Sequence, residues 1–274
     1  MKKSVRFLFM MATLLATAAT ADAQQTTDPR VADLVRAGKL RVALFLPQYT
    51  KDPATGELRG HGRGVVYVEV ARQFAARLGI ELQLVGYSTP PEVVACLKVS
   101  ACDVGFLGIN PARAAEIGFG PPLILVPFTY LVPSGSLIRS VTEADQPGIR
   151  IAVTRNHESA MALSRILKQA KLVNAETPAA TFELLRAGQA DAWASTLPGL
   201  LEYSNSLPGS RVLEDHYGGN IATMAVPKGQ AGWLAYINEF IEEAKRSGLV
   251  QGAIKRSAER GVQVAPPGNS AAQK

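Results

Sequence analysis

Residues 40–45 (LRVALF), 80–85 (IELQLV) and 102–107 (CDVGFL) decide the fold, because each pattern predicts a strand. The first is predicted to be buried, and the second alternates apolar and polar side chains. The helix between the first two runs carries its apolar face on Tyr67, Val70, Ala71, Phe74 and Leu78. That helix ends at Gly79, and a second helix begins at Pro90. Strand and helix alternation of this kind predicts a parallel sheet with helices on both faces.

The same alternation returns in the second half of the chain. Strands are predicted at 149–153 and 190–194, with a helix at 181–185 between them. A preceding helix is predicted from its apolar face, formed by Leu163, Ile166, Leu167 and Ala170. After a strand at 221–226, a last helix is predicted to bury Trp233, Ile237, Phe240, Ile241 and Ala244. The chain is therefore predicted to be an α/β protein with two Rossmann-like lobes.

The restart of the pattern also predicts how the chain is divided. The expected parts are a first lobe of residues 24–130 and 225–264, a second lobe of residues 131–224, and a disordered tail of residues 265–274. The chain is expected to cross between the lobes near 128–132 and again near 224–226, and the last helices are expected to return to the first lobe.

The first 23 residues have the three-part layout of a secretory signal peptide. Basic residues precede the apolar run 7–19, and small residues lead to a cleavage position after Ala23. A retained membrane anchor is the weaker interpretation, because the apolar run falls short of the roughly 20 residues that span a bilayer. Cleavage removes three basic residues and one acidic residue, which lowers the formal charge from +6 to +4. The mature protein is therefore expected to be exported.

Composition narrows the function classes. The chain is 47% hydrophobic and 19% charged, which is too apolar for a disordered protein. Its lysines and arginines are spread along the sequence, so a nucleic acid partner is not expected. With two cysteines and three histidines in the chain, neither a metal site nor a bound cofactor is expected.

Enzyme motifs such as GxSxG, the P-loop and HExxH are absent from the sequence, and no catalytic residue is assigned. Residues 60–64 (GHGRG) resemble a glycine-rich phosphate loop, but no strand is predicted immediately before them. They are therefore predicted to form a flexible hairpin connection, with His61 exposed.

His157 lies at the start of a predicted helix and is followed by Glu158 and Ser159. A ligand contact at this helix start and a capping side chain in water fit the sequence equally well. The contact is considered because ligands of open α/β sheets bind beyond the carboxyl ends of the strands. His216 follows two acidic residues, but metal binding there is the weaker interpretation because no other ligands lie nearby.

Cys96 and Cys102 stand six positions apart, at the end of a predicted helix and the start of a predicted strand. Export to an oxidising compartment favours a disulfide between them over two free thiols. The bond requires their Cα atoms to approach within about 7 Å.

A family resemblance covers nearly the whole mature chain. Residues 108–122 (GINPARAAEIGFGPP) resemble the central signature of the periplasmic solute-binding proteins of extracellular family 3, and residues 187–192 (AGQADA) resemble its Gly-x-x-Asp-Ala strand entry. The resemblance implies a type II periplasmic binding fold, in which a two-segment hinge lets the lobes close on a ligand. It also implies a periplasmic location and the membrane permease of an ABC importer as partner.

Arg113 is the leading candidate for ligand contact. It lies in the first turn of a helix, with Asn110 as N-cap and Pro111 as the first residue. A guanidinium is unfavourable at a helix start, and a bidentate carboxylate partner would offset that cost. In the family that this chain resembles, the arginine that matches Arg113 holds the α-carboxylate of the ligand. A solvated surface arginine is the alternative.

Other positions depart from the family pattern. Where amino-acid binders carry an acid that pairs with the ligand's ammonium, this chain has the neutral Thr196. Gly108 stands where the family often has Ser or Thr, Phe45 stands where it often has Asp, and the aromatic residue Tyr87 is retained. Because a buried ammonium without a counter-charge is costly, the resemblance implies an organic anion rather than a standard amino acid.

The predicted function is therefore capture of a small organic anion by a monomeric periplasmic protein that serves an ABC importer. The predicted ligand-binding residues are Phe45, Tyr87, Gly108, Asn110, Arg113, His157, Glu158, Ser159 and Thr196. Two other classes remain open. One is an enzyme on the same fold, such as a cyclohexadienyl-type dehydratase with His157 or Glu158 as acid or base. The other is an orphan binding component that feeds a membrane sensor or dehydrogenase.

Overall fold

The structure, a computed structural model, describes residues 28–46, 48–155 and 157–268. The predicted signal peptide and the end of the predicted tail lie outside these residues. After a 3-10 turn at Pro29–Val31, the first elements are α1 (Ala32–Ala37), β1 (Lys39–Phe45), β2 (Tyr49–Lys51), β3 (Leu58–Gly60), α2 (Arg63–Leu78), β4 (Glu81–Tyr87), α3 (Pro90–Lys98), β5 (Val104–Gly108), α4 (Pro111–Glu116), β6 (Gly118–Phe119) and β7 (Ile124–Val132). They are followed by β8 (Arg150–Thr154), α5 (Glu158–Leu163), β9 (Lys171–Ala175), α6 (Pro178–Arg186), β10 (Ala192–Thr196), α7 (Leu197–Ser204), β11 (Arg211–Val212), β12 (Gly218–Val226), α8 (Ala231–Arg246), α9 (Leu249–Ser257) and β13 (Gln263–Val264).

One continuous sheet runs in the strand order β4-β1-β5-β12-β7-β10-β8-β9. At one end, β1 pairs in parallel with β4 and β5. At the other end, β8 pairs in parallel with β10 and β9. The pairings between these two units, β5 with β12, β12 with β7 and β7 with β10, are antiparallel. The predicted α/β fold with two Rossmann-like lobes is confirmed.

The long strands β7 and β12 carry the chain between the lobes. β12 pairs with β7 through residues 218–222 and with β5 through residues 222–225. β7 pairs with β12 through residues 124–128 and with β10 through residues 128–131. On β12 the partner strand thus changes at Ala222, earlier than the predicted crossing at 224–226, because Met224 already packs in the core of the first lobe. The residue ranges given above for the two lobes stay predictions.

Helix α2 shows why the elements form where the sequence predicts them. Its buried residues include Val66, Val70, Phe74 and Leu78, which share one face at helical spacing. The helix ends at Gly79, whose φ of 68° is accessible to glycine without strain, and whose N–H bonds to carbonyl groups of the last turn.

Each lobe has its own apolar core. In the first lobe α2 packs against α8, where the rings of Phe74 and Phe240 lie 4.8 Å apart between centroids. The predicted face of α8, formed by Trp233, Ile237, Phe240, Ile241 and Ala244, is buried. In the second lobe, Tyr130 and Ile151 belong to a separate cluster. The last helices therefore pack on the first lobe.

The helix predicted to begin near His157 and to include Leu163, Ile166, Leu167 and Ala170 in its face is wrong beyond Leu163. α5 ends at Leu163, and Ile166 is 49% exposed. The carboxylate of Asp145 accepts hydrogen bonds from the backbone N–H groups of Lys168, Gln169 and Ala170. These bonds replace the helical ones and also hold the pKa of Asp145 below its ordinary value.

Three further segments differ from the sequence predictions. Strand β9 is not predicted, and the crossing expected near 128–132 lies within strand β7. A short strand, β3, leads into the segment 60–64 and ends at its first residue, Gly60. Ala265, assigned to the disordered tail, is buried and its N–H bonds to the carbonyl oxygen of Leu123 at 3.1 Å. The position of β7 and of Ala265 depends on pairing with segments distant in sequence, which local patterns do not reveal.

Across the described residues, no helix combines the length and the apolar character needed to cross a membrane.

Candidate ligand-binding site

The candidate site lies at the carboxyl ends of the parallel strands of the first lobe. Phe45 ends β1 and Gly108 ends β5, where an open α/β sheet binds its ligands. A cavity of about 470 Å³ opens at this edge, a volume typical of small-molecule sites. It is lined by Phe45, Gln48, His61, Gly62, Arg63, Tyr67, Gly108, Val126, Asn220, Ala222, Ser257, Ala258 and Glu259.

The floor of the cavity is aromatic and rigid. Tyr67 is buried and stacks on Phe106, with ring centroids 4.6 Å apart. Burial raises the pKa of Tyr67 to about 12, so its hydroxyl stays neutral. Gln48 crosses this floor, accepting a hydrogen bond from the N–H of Phe45 and donating one to the carbonyl oxygen of Phe106. The floor therefore offers a flat apolar surface with few free polar groups.

Arg113 reaches the cavity edge through Gly108. Its Nη1 donates to the carbonyl oxygen of Gly108 at 2.9 Å, and its backbone N–H is capped by Asn110 Oδ1 at 2.9 Å. No acidic side chain among the described residues forms an ion pair with Arg113. The predicted N-cap is present, and the guanidinium keeps donors for an external anion.

Gly108 is closely packed at the cavity edge. A Cβ added there would lie 3.0 Å from Asn220 Oδ1 and 3.5 Å from Arg113 Nη1. Any larger side chain would therefore push into the hydrogen-bonding groups at the cavity edge.

Two charged residues of the cavity are absent from the sequence prediction. Arg63 is the first residue of α2, and its Nε lies 3.2 Å from Glu259 Oε1. The side chains are 38% and 20% exposed, respectively. The glycine-rich motif at 60–64, which contains Arg63, is the sequence signal that points to this place. For Glu259 the sequence offers no signal, because it meets Arg63 only in the folded chain.

The glycine-rich segment itself is packed rather than a flexible connection. A Cβ on Gly64 would lie 1.5 Å from the carbonyl oxygen of Gln48. His61 is exposed, as predicted, although it also borders the cavity. The loop therefore forms one wall of the site.

The Tyr87 side chain contacts a disulfide. Its hydroxyl donates to Cys96 Sγ at 2.7 Å and lies 3.1 Å from Cys102 Sγ. The two cysteines form a disulfide, with Cα atoms 5.5 Å apart. Burial raises the pKa of Tyr87. Its role here is to pack against the disulfide, and it does not line the described cavity.

The second lobe presents His157 at the end of β8. His157 caps α5, and its Nδ1 accepts from the Ser159 N–H at 3.3 Å and lies 2.7 Å from Ser159 Oγ. These contacts favour the tautomer that carries its proton on Nε2. Burial lowers the pKa of His157, against a smaller opposite effect of the exposed Glu158. His157 is therefore a neutral N–H donor.

Thr196 ends β10 and precedes α7 without a capping hydrogen bond from its side chain. Like His157, Glu158 and Ser159, it does not line the cavity of the first lobe. The structure thus brings together Phe45, Gly108 and, through Gly108, Arg113. It places the second-lobe candidates on the facing lobe. Within the described residues no cluster of His, Cys, Asp or Glu could hold a metal ion.

Sequence comparison identifies a family and a relative. The profile of the bacterial extracellular solute-binding proteins, family 3, matches residues 53–257. The virulence sensor protein BvgS of Bordetella pertussis is 28% identical over 150 residues, which cover 52% of this chain and 12% of that protein. The chain thus aligns with a small part of the sensor's length.

Structural comparison finds the same two-lobed architecture. An ancestral cationic amino acid solute-binding protein gives a TM-score of 0.60 at 22% identity, with 82% of this chain and 98% of that chain covered. An ancestral cyclohexadienyl dehydratase gives 0.58 at 22% identity, with coverage of 83% and 95%. At these identities the likeness shows the fold alone, which is the predicted type II periplasmic binding fold.

Proposed function

Because the chain belongs to the bacterial extracellular solute-binding proteins of family 3, we propose that it captures a small organic anion in the cleft between its lobes. The protein releases this ligand to the membrane permease of an ABC importer. The ligand is a carboxylate other than a standard amino acid.

The observation that supports this proposal is that the Arg113 guanidinium has no acidic partner in the part of the chain that the structure describes. Its guanidinium stands at the cavity edge with one hydrogen bond to a backbone carbonyl and, among the described residues, no acidic partner. The opposite arrangement is found at Arg41 and Arg150, each of which pairs with an aspartate through two side-chain hydrogen bonds. A carboxylate on Arg113 would form the charge-assisted pair that the protein itself does not supply.

The two lobes divide the work of binding. The first lobe offers Arg113 and the aromatic floor of the cavity. The second lobe offers the Nε2–H of His157, and the neutral Thr196 stands where amino-acid binders carry an acidic residue. When the lobes close about the hinge formed by β7 and β12, the His157 N–H moves toward the ligand and water is excluded from the cleft. Exclusion of water strengthens the Arg113–carboxylate attraction, since the local dielectric constant falls.

The cellular setting follows from the same proposal. We propose that the segment 1–23 directs export to the periplasm, where the protein acts as a monomer without a cofactor. The disulfide of Cys96 and Cys102 is consistent with an oxidising compartment.

A thermal-shift screen of carboxylates, amino acids and phosphonates tests the proposal. Ligand capture predicts stabilisation by one or more carboxylates and loss of that stabilisation in Arg113→Ala. Arg72→Ala, an exposed change on α2 away from the cavity, is the matched control. No stabilisation by any carboxylate would overturn the proposal.

A sensor role is the second candidate, supported by the sequence match to a virulence sensor. In that case the closed, ligand-bound protein would contact a membrane sensor instead of a permease. Capture of each purified membrane partner by the protein, with and without carboxylate, distinguishes the two destinations.

An enzymatic function on the same fold is a separate alternative. It requires turnover of prephenate or arogenate, for which His157 or Glu158 would have to act as acid or base. Incubation of the purified protein with both substrates and measurement of the aromatic product tests this. Stabilisation without product supports binding alone.

A further inference from the structure

We infer that Arg63 is a second anion subsite of the cavity, which the carboxylate of Glu259 occupies from within the chain. The ligand is therefore a small dicarboxylate, whose second carboxylate replaces Glu259 on Arg63. This inference rests on the proposed function, because it places the first carboxylate on Arg113.

The Arg63–Glu259 pair differs from the structural ion pairs of this protein. Arg41 binds Asp103 through Nε at 3.0 Å and through Nη2 at 2.6 Å, which is a bidentate pair. Arg63 instead lies 3.2 Å from Glu259 Oε1 through Nε, and no hydrogen bond between the two side chains is formed in the described residues. Neither carboxylate oxygen of Glu259 accepts a hydrogen bond from the described residues. The pair is loosely held and can be exchanged.

Arg63 is positioned to receive an external carboxylate. It lines the same cavity as Gly108, and its side chain is 38% exposed. Its two terminal nitrogens have no hydrogen-bond partner within the described ranges. A planar guanidinium with free donors binds carboxylates in a bidentate way that the Glu259 contact does not achieve.

Glu259 is carried by a loop that can release it. The preceding Ala258 has φ of 54°, a left-handed conformation that is unfavourable for a residue other than glycine. The backbone N–H of Glu259 bonds to Ser257 Oγ at 3.3 Å, so the loop is anchored on α9 through its backbone and not through the carboxylate. The 20% exposure of the side chain shows that a path to solvent is open.

Charge balance favours a dianion over a monoanion once Glu259 has moved. Arg113 and Arg63 together then present two positive charges, which two carboxylates neutralise. With Glu259 in place, one of these charges is already neutralised. The internal carboxylate therefore prevents an uncompensated pair of cations in the empty cavity and competes with the ligand.

The loop also contacts the second lobe. A Cβ added to Gly261 would lie 2.7 Å from the Cγ of Leu197, the first residue of α7. Glu259 is therefore carried by a loop that touches both lobes, and we expect its exchange for a ligand carboxylate to affect hinge closure.

Calorimetric titration with matched acids tests the inference. The probes are glutarate and pentanoate, which have the same chain length and differ in one carboxylate. The protein is expected to bind glutarate about tenfold or more tightly than pentanoate. Arg63→Gln is expected to remove this difference by weakening glutarate, and Glu259→Gln is expected to increase glutarate affinity several-fold. Arg72→Gln is the matched control on the same helix, and thermal unfolding verifies that each variant folds.

The contrary outcomes separate the two proposals. Equal binding of glutarate and pentanoate, or no effect of Arg63→Gln on glutarate, overturns the second subsite and leaves capture by Arg113 in place. Weaker carboxylate binding in Glu259→Gln makes Glu259 a direct ligand contact and also overturns the inference. Failure of Arg113→Ala to weaken either acid overturns the proposed function.

Discussion

Arg113 donates a hydrogen bond from Nη1 to the carbonyl oxygen of Gly108, a residue that lines the cavity five positions earlier in the chain. This bond fixes the guanidinium at the cavity edge before any ligand arrives. A fixed arginine loses less conformational freedom on binding than a mobile one, so more of its interaction energy contributes to affinity.

Replacement of this arginine is the most direct prediction. Arg113→Ala should weaken binding of a carboxylate ligand by about 2–5 kcal/mol, because the ligand's charge would be buried without a partner. The fold should remain intact, since no buried side chain is lost from α4. Isothermal titration measures the affinity, with Arg72→Ala as the control. An unchanged dissociation constant would remove Arg113 from the site.

Gly108→Ala tests the close packing at the same edge. The added methyl group would meet Asn220 Oδ1 at 3.0 Å, so the amide of Asn220 must shift and the cavity must change shape. We expect weaker ligand binding with a loss of stability of about 1–3 kcal/mol. The double variant Gly108→Ala/Asn220→Gly should recover stability. If the single variant binds as well as the parent protein, the cavity edge is not part of the binding surface.

The disulfide is expected to contribute to stability. Cys96→Ala/Cys102→Ala should lower the free energy of unfolding by about 2 kcal/mol, the value for a short closed loop. Denaturant unfolding under oxidising conditions measures the difference. Tyr87→Phe, which keeps the ring and removes the hydroxyl bound to both sulfurs, should cost about 1 kcal/mol or less. A double-cysteine variant as stable as the parent protein would contradict this prediction.

His157 predicts a pH dependence of folding. Burial lowers its pKa in the folded protein from the ordinary value of 6.5, so the unfolded chain binds the proton more readily. The corresponding stability is fully present above about pH 6.5 and is lost as the pH falls through the folded pKa. His157→Gln should flatten this part of the stability profile, measured by denaturant unfolding at several pH values. Identical slopes for both proteins would show that His157 titrates normally.

The sequence predicts the elements whose stabilising contacts are local. The face of α8 and the end of α2 at Gly79 follow from helical spacing and from glycine's backbone freedom. The helix predicted after Leu163 fails because Asp145, distant in sequence, binds the backbone of Lys168 and its neighbours. These hydrogen bonds form only in the folded chain, so the local periodicity of the sequence does not predict them.

The same limit applies to the site. The resemblance leads to Arg113, Phe45 and Gly108, which the structure gathers at one strand edge. It does not lead to Glu259, because the family match ends at residue 257 and the contact with Arg63 joins distant parts of the chain. Tyr87 is assigned to the ligand as the aromatic residue that the family resemblance retains, whereas its hydroxyl is engaged with the two sulfurs. Side-chain direction was the missing information.

The two crossings between the lobes are strands of one sheet, hydrogen-bonded to each other through residues 124–128 and 218–222. Lobe closure must therefore twist this ladder and not merely swing two free connections. We expect its amide protons to exchange slowly with deuterated water in both the empty and the occupied protein. Twisting a bonded ladder stores elastic energy, which returns the lobes to their resting angle when the ligand leaves, without any input from a partner.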